Sequence, residues 1–150
     1  MSIVPDISRE QQIQFLKFII VGGLNTMVCL AAIFVCKSLL DIDPYLSNVI
    51  GYGFGVANSF LWNRQWVFRS EGHFGREMAK FLIGFGICYA LQFLALWGLT
   101  TLSPLAYMEW DIKGFTLSGY GVATLMSMCV YTICNFIYNR HVAFHKENKD

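Results

Sequence analysis

Four long stretches of this chain carry no charged side chain, and that spacing constrains the fold more than any other feature. They are Phe18–Cys36, Pro44–Asn63, Phe81–Met108 and Gly114–Asn139, with 19, 20, 28 and 26 residues. At ~1.5 Å per helical residue, each is long enough to cross the ~30 Å hydrocarbon core of a bilayer. None shows the polar face of a helix packed on a soluble core. With 55% of 150 residues hydrophobic and only 14% charged, little polar surface remains to clothe a water-soluble domain. The expected fold class is therefore an all-α membrane protein, a single transmembrane domain over residues 1–150. Its four transmembrane helices are expected at about 15–40, 44–66, 79–102 and 114–138. The first run is too long for a signal-peptide core and is expected to stay as the first span.

The charges between these stretches orient the spans. Arg9, Lys17, Arg64, Arg69, Arg76, Lys80, Arg140, Lys146 and Lys149 fall on the side that holds both termini, and only Lys37 and Lys113 fall on the other. Positive residues collect in cytoplasmic loops, so the N- and C-termini are expected to be cytoplasmic. Local chemistry marks the boundaries. Ser8 and Gln11 fit a capping box. Asp43-Pro44 reads as an N-cap followed by proline at the first helical position, with a very short external turn at about 41–43. Ser103-Pro104 is expected to end the third span, and Leu105–Lys113 to form an external loop with Tyr107 and Trp110 at the membrane interface.

The two halves share landmarks. "FLKFIIVGG" (15–23) aligns with "MAKFLIGFG" (78–86), pairing Lys17-Phe18 with Lys80-Phe81. "FLWNRQWVF" (60–68) aligns with "FIYNRHVAF" (136–144), pairing Asn63-Arg64 with Asn139-Arg140 and Phe68 with Phe144. Two tandem hairpins are expected, forming a parallel internal repeat about an axis along the membrane normal.

The duplicated residues carry the candidate chemistry. A guanidinium grips a phosphate through two parallel charge-assisted hydrogen bonds, which makes Arg64 and Arg140 candidate lipid-phosphate ligands. Asn63 and Asn139 stand ready to bond a phosphate oxygen or a sugar hydroxyl. Phe68 and Phe144, four residues on, share the face of each Arg on a continuing helix and are candidates for packing on an isoprenoid tail. The competing reading makes each Arg a topological anchor that meets anionic lipid heads. Lys17 and Lys80 are either second cations of the same site or snorkelling anchors. Asn25, ~12 Å along the helix from Lys17, either lines a route for a sugar or glues helices together. Gly51 and Gly55 form a G-x-x-x-G packing face rather than a phosphate loop.

Lys-Phe followed by "VGGLNT", then "NSFLWNRQWVF" and "NFIYNRHVAF", resemble the GtrA-like family in order and position over about residues 13–145. The resemblance implies a multi-pass protein of the bacterial cytoplasmic (inner) membrane in cell-surface polysaccharide synthesis, including O-antigen modification. It implies translocation of a polyprenyl-phosphate-linked sugar, such as undecaprenyl-phosphate glucose, made by a separate glycosyltransferase. A second family-level reading is an adaptor that recruits such a glycosyltransferase and moves nothing.

Other function classes find little support in the residues. The five cysteines lie in apolar runs without a C-x-x-C pair, and His141 and His145 lack a third ligand, so no metal or cofactor is expected. There is no acid–base constellation, so the chain is not expected to be an enzyme. Nucleic acid is not an expected partner. A homo-oligomer is, since an assembled dimer shelters a polar path better than four helices alone.

Overall fold

The computed structural model describes residues 8–103, 107–112 and 115–145, with backbone alone at 110, 112 and 115–117. Helix α1 (Arg9–Phe34) begins at the Ser8 cap. The Ser8 hydroxyl accepts from the Gln11 backbone N–H at 3.4 Å, and Gln11 Oε1 accepts from the Ser8 N–H at 3.1 Å. Helix α2 (Pro44–Trp62) begins at Asp43, whose Oδ1 accepts from the N–H groups of Tyr45 (2.9 Å) and Leu46 (3.2 Å). Helix α3 (Phe74–Thr101) starts some five residues before the position expected for its span. A short antiparallel pair, β1 (Glu109–Ile112) and β2 (Phe115–Ser118), precedes α4 (Gly119–Tyr138).

That strand pair corrects two expectations. The external segment is not simply a loop, and the fourth helix begins at Gly119 rather than 114. The cause is local: Ser118 caps α4 by accepting from Gly121 N–H at 3.1 Å, and Gly119 N–H closes onto the Met108 carbonyl at 2.7 Å. Tyr107 is 87% exposed. Pro104, Leu105, Lys113, Lys146, Lys149 and the Trp110 side chain, all used in the sequence reading, lie outside the described residues.

The chain divides into two compact units between Gly72 and His73. In the first, α1 packs on α2 across the turn at Asp41, Ile42 and Asp43. In the second, α3 packs on α4. Each unit buries a seam of small or neutral residues at four-residue spacing: Ser47, Gly51 and Gly55 on α2, and Gly119, Ala123 and Ser127 on α4. Small residues at this spacing let helix backbones approach closely, as membrane helices require when lipid is as apolar as leucine. Gly51 shows the fit. A Cβ there would sit 3.0 Å from the Cys29 carbonyl and collide with the Ile33 side chain.

Away from the seams the surface is apolar. Leu16, Met27, Leu30 and Phe34 of α1 and Phe93, Leu94 and Trp97 of α3 are all more than half exposed. Water would not tolerate such continuous apolar area, whereas lipid does. Among the described residues, three helices are long and apolar enough to cross a membrane: Arg9–Leu39, Phe74–Thr101 and Gly119–Ala143. The first and third include π-helical extensions. Helix α2 is not among them, because it carries Ser47, Asn48, Asn58, Ser59 and three glycines. The supported architecture is three candidate membrane-crossing helices plus one further helix.

Candidate functional site

Both Asn-Arg pairs open a π-helical turn. The α-helical ladder of α2 gives way at Asn63–Val67, and that of α4 at Asn139–Ala143, to wider i→i+5 rings. Phe68 N–H closes one ring on the Asn63 carbonyl at 2.9 Å, and Phe144 N–H closes the other on the Asn139 carbonyl at 2.8 Å. The seam spacing suggests a reason. A strict four-residue repeat overshoots a 3.6-residue turn by ~0.4 residue at each step, and a wider ring swings the next seam residue back. Val67 and Ala143 are accordingly buried at 3% and 2% exposure. In the first unit a side chain also enters the ladder: Asn63 Nδ2 donates to the Ser59 carbonyl at 2.8 Å.

The asparagines themselves are buried, Asn63 at 1% exposure and Asn139 at 0%. Asn63 Nδ2 also donates to Ser59 Oγ at 3.2 Å, while Asn139 Nδ2 donates to Asn135 Oδ1 at 3.0 Å. In both residues Oδ1 is buried with no hydrogen-bond partner among the described residues. The Ser59 carbonyl can only accept, which fixes the orientation of the Asn63 amide. Amides buried this completely offer little surface to a ligand. The expectation that these asparagines touch a phosphate oxygen directly is thus not what the geometry favours.

The phenylalanines are core residues. Phe68, 4% exposed, packs on Phe18 with ring centroids 6.4 Å apart. Phe144, 2% exposed, packs on Phe81 at 6.1 Å. These contacts join the duplicated landmarks within each unit, bringing the start of the odd helix to the end of the even one. They also occupy the faces that the sequence reading assigned to an isoprenoid tail. The π-helical turn ends before each phenylalanine, so neither continues the helical face of its arginine.

The cations therefore collect at one end of each unit. In the first, the Lys17 ammonium lies over the Trp66 ring, 5.2 Å from its centroid, and Trp66 meets Trp62 edge-on at 6.1 Å. Arg64, half-buried, donates from Nη2 to the Gly72 carbonyl at 2.8 Å and so fastens the segment that follows Arg69. In the second, Lys80 is exposed and Arg140 half-buried. Glu77, 5% exposed and four residues before Phe81, adds a carboxylate to this end.

Asn25 lies apart from these ends. It is half-buried in the α1–α2 seam, where its Oδ1 accepts from Asn58 Nδ2 at 2.9 Å. Among the described residues no cluster of three or more His, Cys, Asp or Glu side chains could hold a metal.

Two cations and an aromatic girdle at the end of an apolar hairpin suit an anionic group at a membrane–water boundary. A family model, the GtrA/DPMS transmembrane domain, matches residues 17–144. The chain belongs to the GtrA/DPMS transmembrane-domain family. The match opens on Lys17 and closes on Phe144, so it takes in both cationic ends and the π-helical turns at Asn63 and Asn139. Among curated relatives, the chain is 20% identical over 133 residues to the cell wall teichoic acid glycosylation protein GtcA of Listeria innocua serovar 6a. That alignment covers 86% of this chain and 83% of the relative. Membership supports a multi-pass membrane protein, in keeping with the apolar helices described above.

Proposed function

We propose that this GtrA-family protein moves a polyprenyl-phosphate-linked sugar across the bacterial cytoplasmic membrane for glycosylation of a cell-surface polymer. The observation that carries the reading is the cationic end of each hairpin, Lys17 with Arg64 and Lys80 with Arg140, set beside a π-helical turn. Arginine grips the lipid phosphate and lysine adds charge, while the buried Asn63 and Asn139 act as positioning residues that shape the turn presenting each Arg. A relative named for teichoic acid glycosylation supports the polymer-glycosylation setting.

The same reading takes α2 as a fourth span, held against α1 with Ser47 buried and Asn58 bonded to Asn25 across the seam. It places both termini and all four cations in the cytoplasm, where the positive-inside bias puts them. The two units are then a duplicated hairpin. Undecaprenyl-phosphate glucose is the proposed type of cargo, and a membrane glycosyltransferase is the proposed supplier.

Binding of undecaprenyl phosphate to purified protein in nanodiscs tests the site. Arg64→Ala and Arg140→Ala each remove charge-assisted bonds worth ~1.5–3 kcal/mol, so about tenfold weaker binding or more is expected from either. Unchanged affinity in both variants, with insertion or topology disturbed instead, would reduce the arginines to anchors.

A further inference from the structure

We infer that the Asn25–Asn58 pair is a subsite for an uncharged polyhydroxyl head group, set inside the first hairpin away from its cationic end. The inference rests on the lipid-linked sugar reading above and assigns a residue set to the sugar rather than to the phosphate.

The amides are only half spent. Asn58 Nδ2 donates to Asn25 Oδ1 at 2.9 Å, and this is the one hydrogen bond that either side chain makes among the described residues. Asn25 Nδ2 and Asn58 Oδ1 remain, one donor and one acceptor, and neither residue is fully buried. Asn25 lies eight residues beyond Lys17 and Asn58 six before Arg64, so the pair sits ~9–12 Å along the helices from the cations. At that depth of an apolar helix, an amide facing hydrocarbon has an unmet bond that costs free energy. A hydroxyl supplies both a donor and an acceptor and satisfies this arrangement. A phosphate only accepts, and it would face the Asn58 carbonyl oxygen unfavourably.

The bland reading, that the pair merely glues α1 to α2, meets a control within the same chain. Eight residues beyond Lys80 stands Cys88, and five before Asn139 stands Cys134, whereas Asn58 is five before Asn63. The second unit thus packs α3 on α4 with cysteines at both matched positions, Cys88 buried and Cys134 half-buried. A hairpin of this design closes without an amide bridge. The polar pair in the first unit is therefore surplus to packing, and its unspent groups match a sugar.

The test copies the second unit into the first. Full-length protein carrying Asn25→Cys and Asn58→Cys together is compared with the unaltered chain in nanodiscs, using two probes: undecaprenyl phosphate, and the same lipid bearing one glucose. The unaltered chain should bind the glucosylated lipid more tightly than the bare one. The double variant should lose about tenfold for the glucosylated probe, as expected for two neutral hydrogen bonds, and keep its affinity for the bare phosphate. A double variant that retains the full preference for the glucosylated probe overturns the inference and leaves the phosphate reading intact. A double variant that fails to insert or fold overturns it as well, because the pair would then be needed for packing. If the unaltered chain binds neither probe, the function proposed above falls and this inference with it.

Discussion

Replacing Asn63 by leucine should leave the fold almost as stable as before, although it deletes a fully buried side chain that makes two hydrogen bonds. Those bonds, 2.8 Å to the Ser59 carbonyl and 3.2 Å to its hydroxyl, contribute ~0.5–1.5 kcal/mol each. The Ser59 carbonyl is not orphaned by their loss, because it also accepts from the Asn63 backbone N–H. Against the loss stands the amide oxygen, buried without a partner among the described residues, whose unmet bond costs ~1–3 kcal/mol and vanishes with the side chain. The two contributions offset to within about 1 kcal/mol, a shift in Tm of less than roughly 4 °C for a chain of this size. Asn139→Leu differs. It removes the donor to Asn135 Oδ1 and leaves that oxygen unpaired in a residue 7% exposed. It should therefore cost ~1–2 kcal/mol more than the change at Asn63. Thermal unfolding of the two variants in the same detergent reads the difference directly. An Asn63→Leu protein that melts lower than Asn139→Leu, or falls by more than about 8 °C, would refute the reasoning.

Two further predictions follow from backbone geometry. At Gly84 an added Cβ would strike the Tyr138 ring, so Gly84→Ala should destabilise the second unit by ~1–3 kcal/mol. Gly86→Ala, with no neighbouring side chain within 4 Å, should be neutral or stabilise by up to ~1 kcal/mol, and paired melting curves separate the two. Arg69 holds a left-handed φ of 48° just past the π-helical turn, where Ser70 N–H closes onto the Arg64 carbonyl at 2.9 Å. Arg69→Gly should relieve ~1 kcal/mol of backbone strain and raise Tm by a few degrees, and a fall in Tm would argue that the side chain outweighs the backbone.

How legible the molecule was depends on the kind of signal. Helix starts at Ser8 and Asp43 could be read because capping is set by neighbouring residues alone. The apolar runs announced their helices because charge exclusion is a property of composition. The strand pair was missed although a cue was present, a two-residue Lys-Gly between short alternating runs, because a boundary at Lys113 assigns the first strand to a loop and the second to the uncharged run of the fourth helix. The π-helical turns at Asn63 and Asn139 had no such cue. They depend on the backbone ladder and on how a four-residue seam meets its partner helix, which a lone sequence does not display. The same holds for Phe68 and Phe144. Their spacing from Arg places them on its face only if the α-helix continues, and it does not. Asn25 was singled out from its depth, but its partner Asn58 came to light only through the α1–α2 packing.

Transbilayer movement of the lipid itself tests the central claim most directly. Purified protein is reconstituted into liposomes holding undecaprenyl-phosphate glucose in both leaflets, and the rate at which inner-leaflet lipid reaches an external probe is measured. The proposed function predicts a rate above that of protein-free liposomes, lowered about tenfold or more in Arg64→Ala and in Arg140→Ala. A rate equal to the protein-free background, from protein that is folded and whose cells still need it for surface glycosylation, would contradict translocation and leave recruitment of a glycosyltransferase as the role.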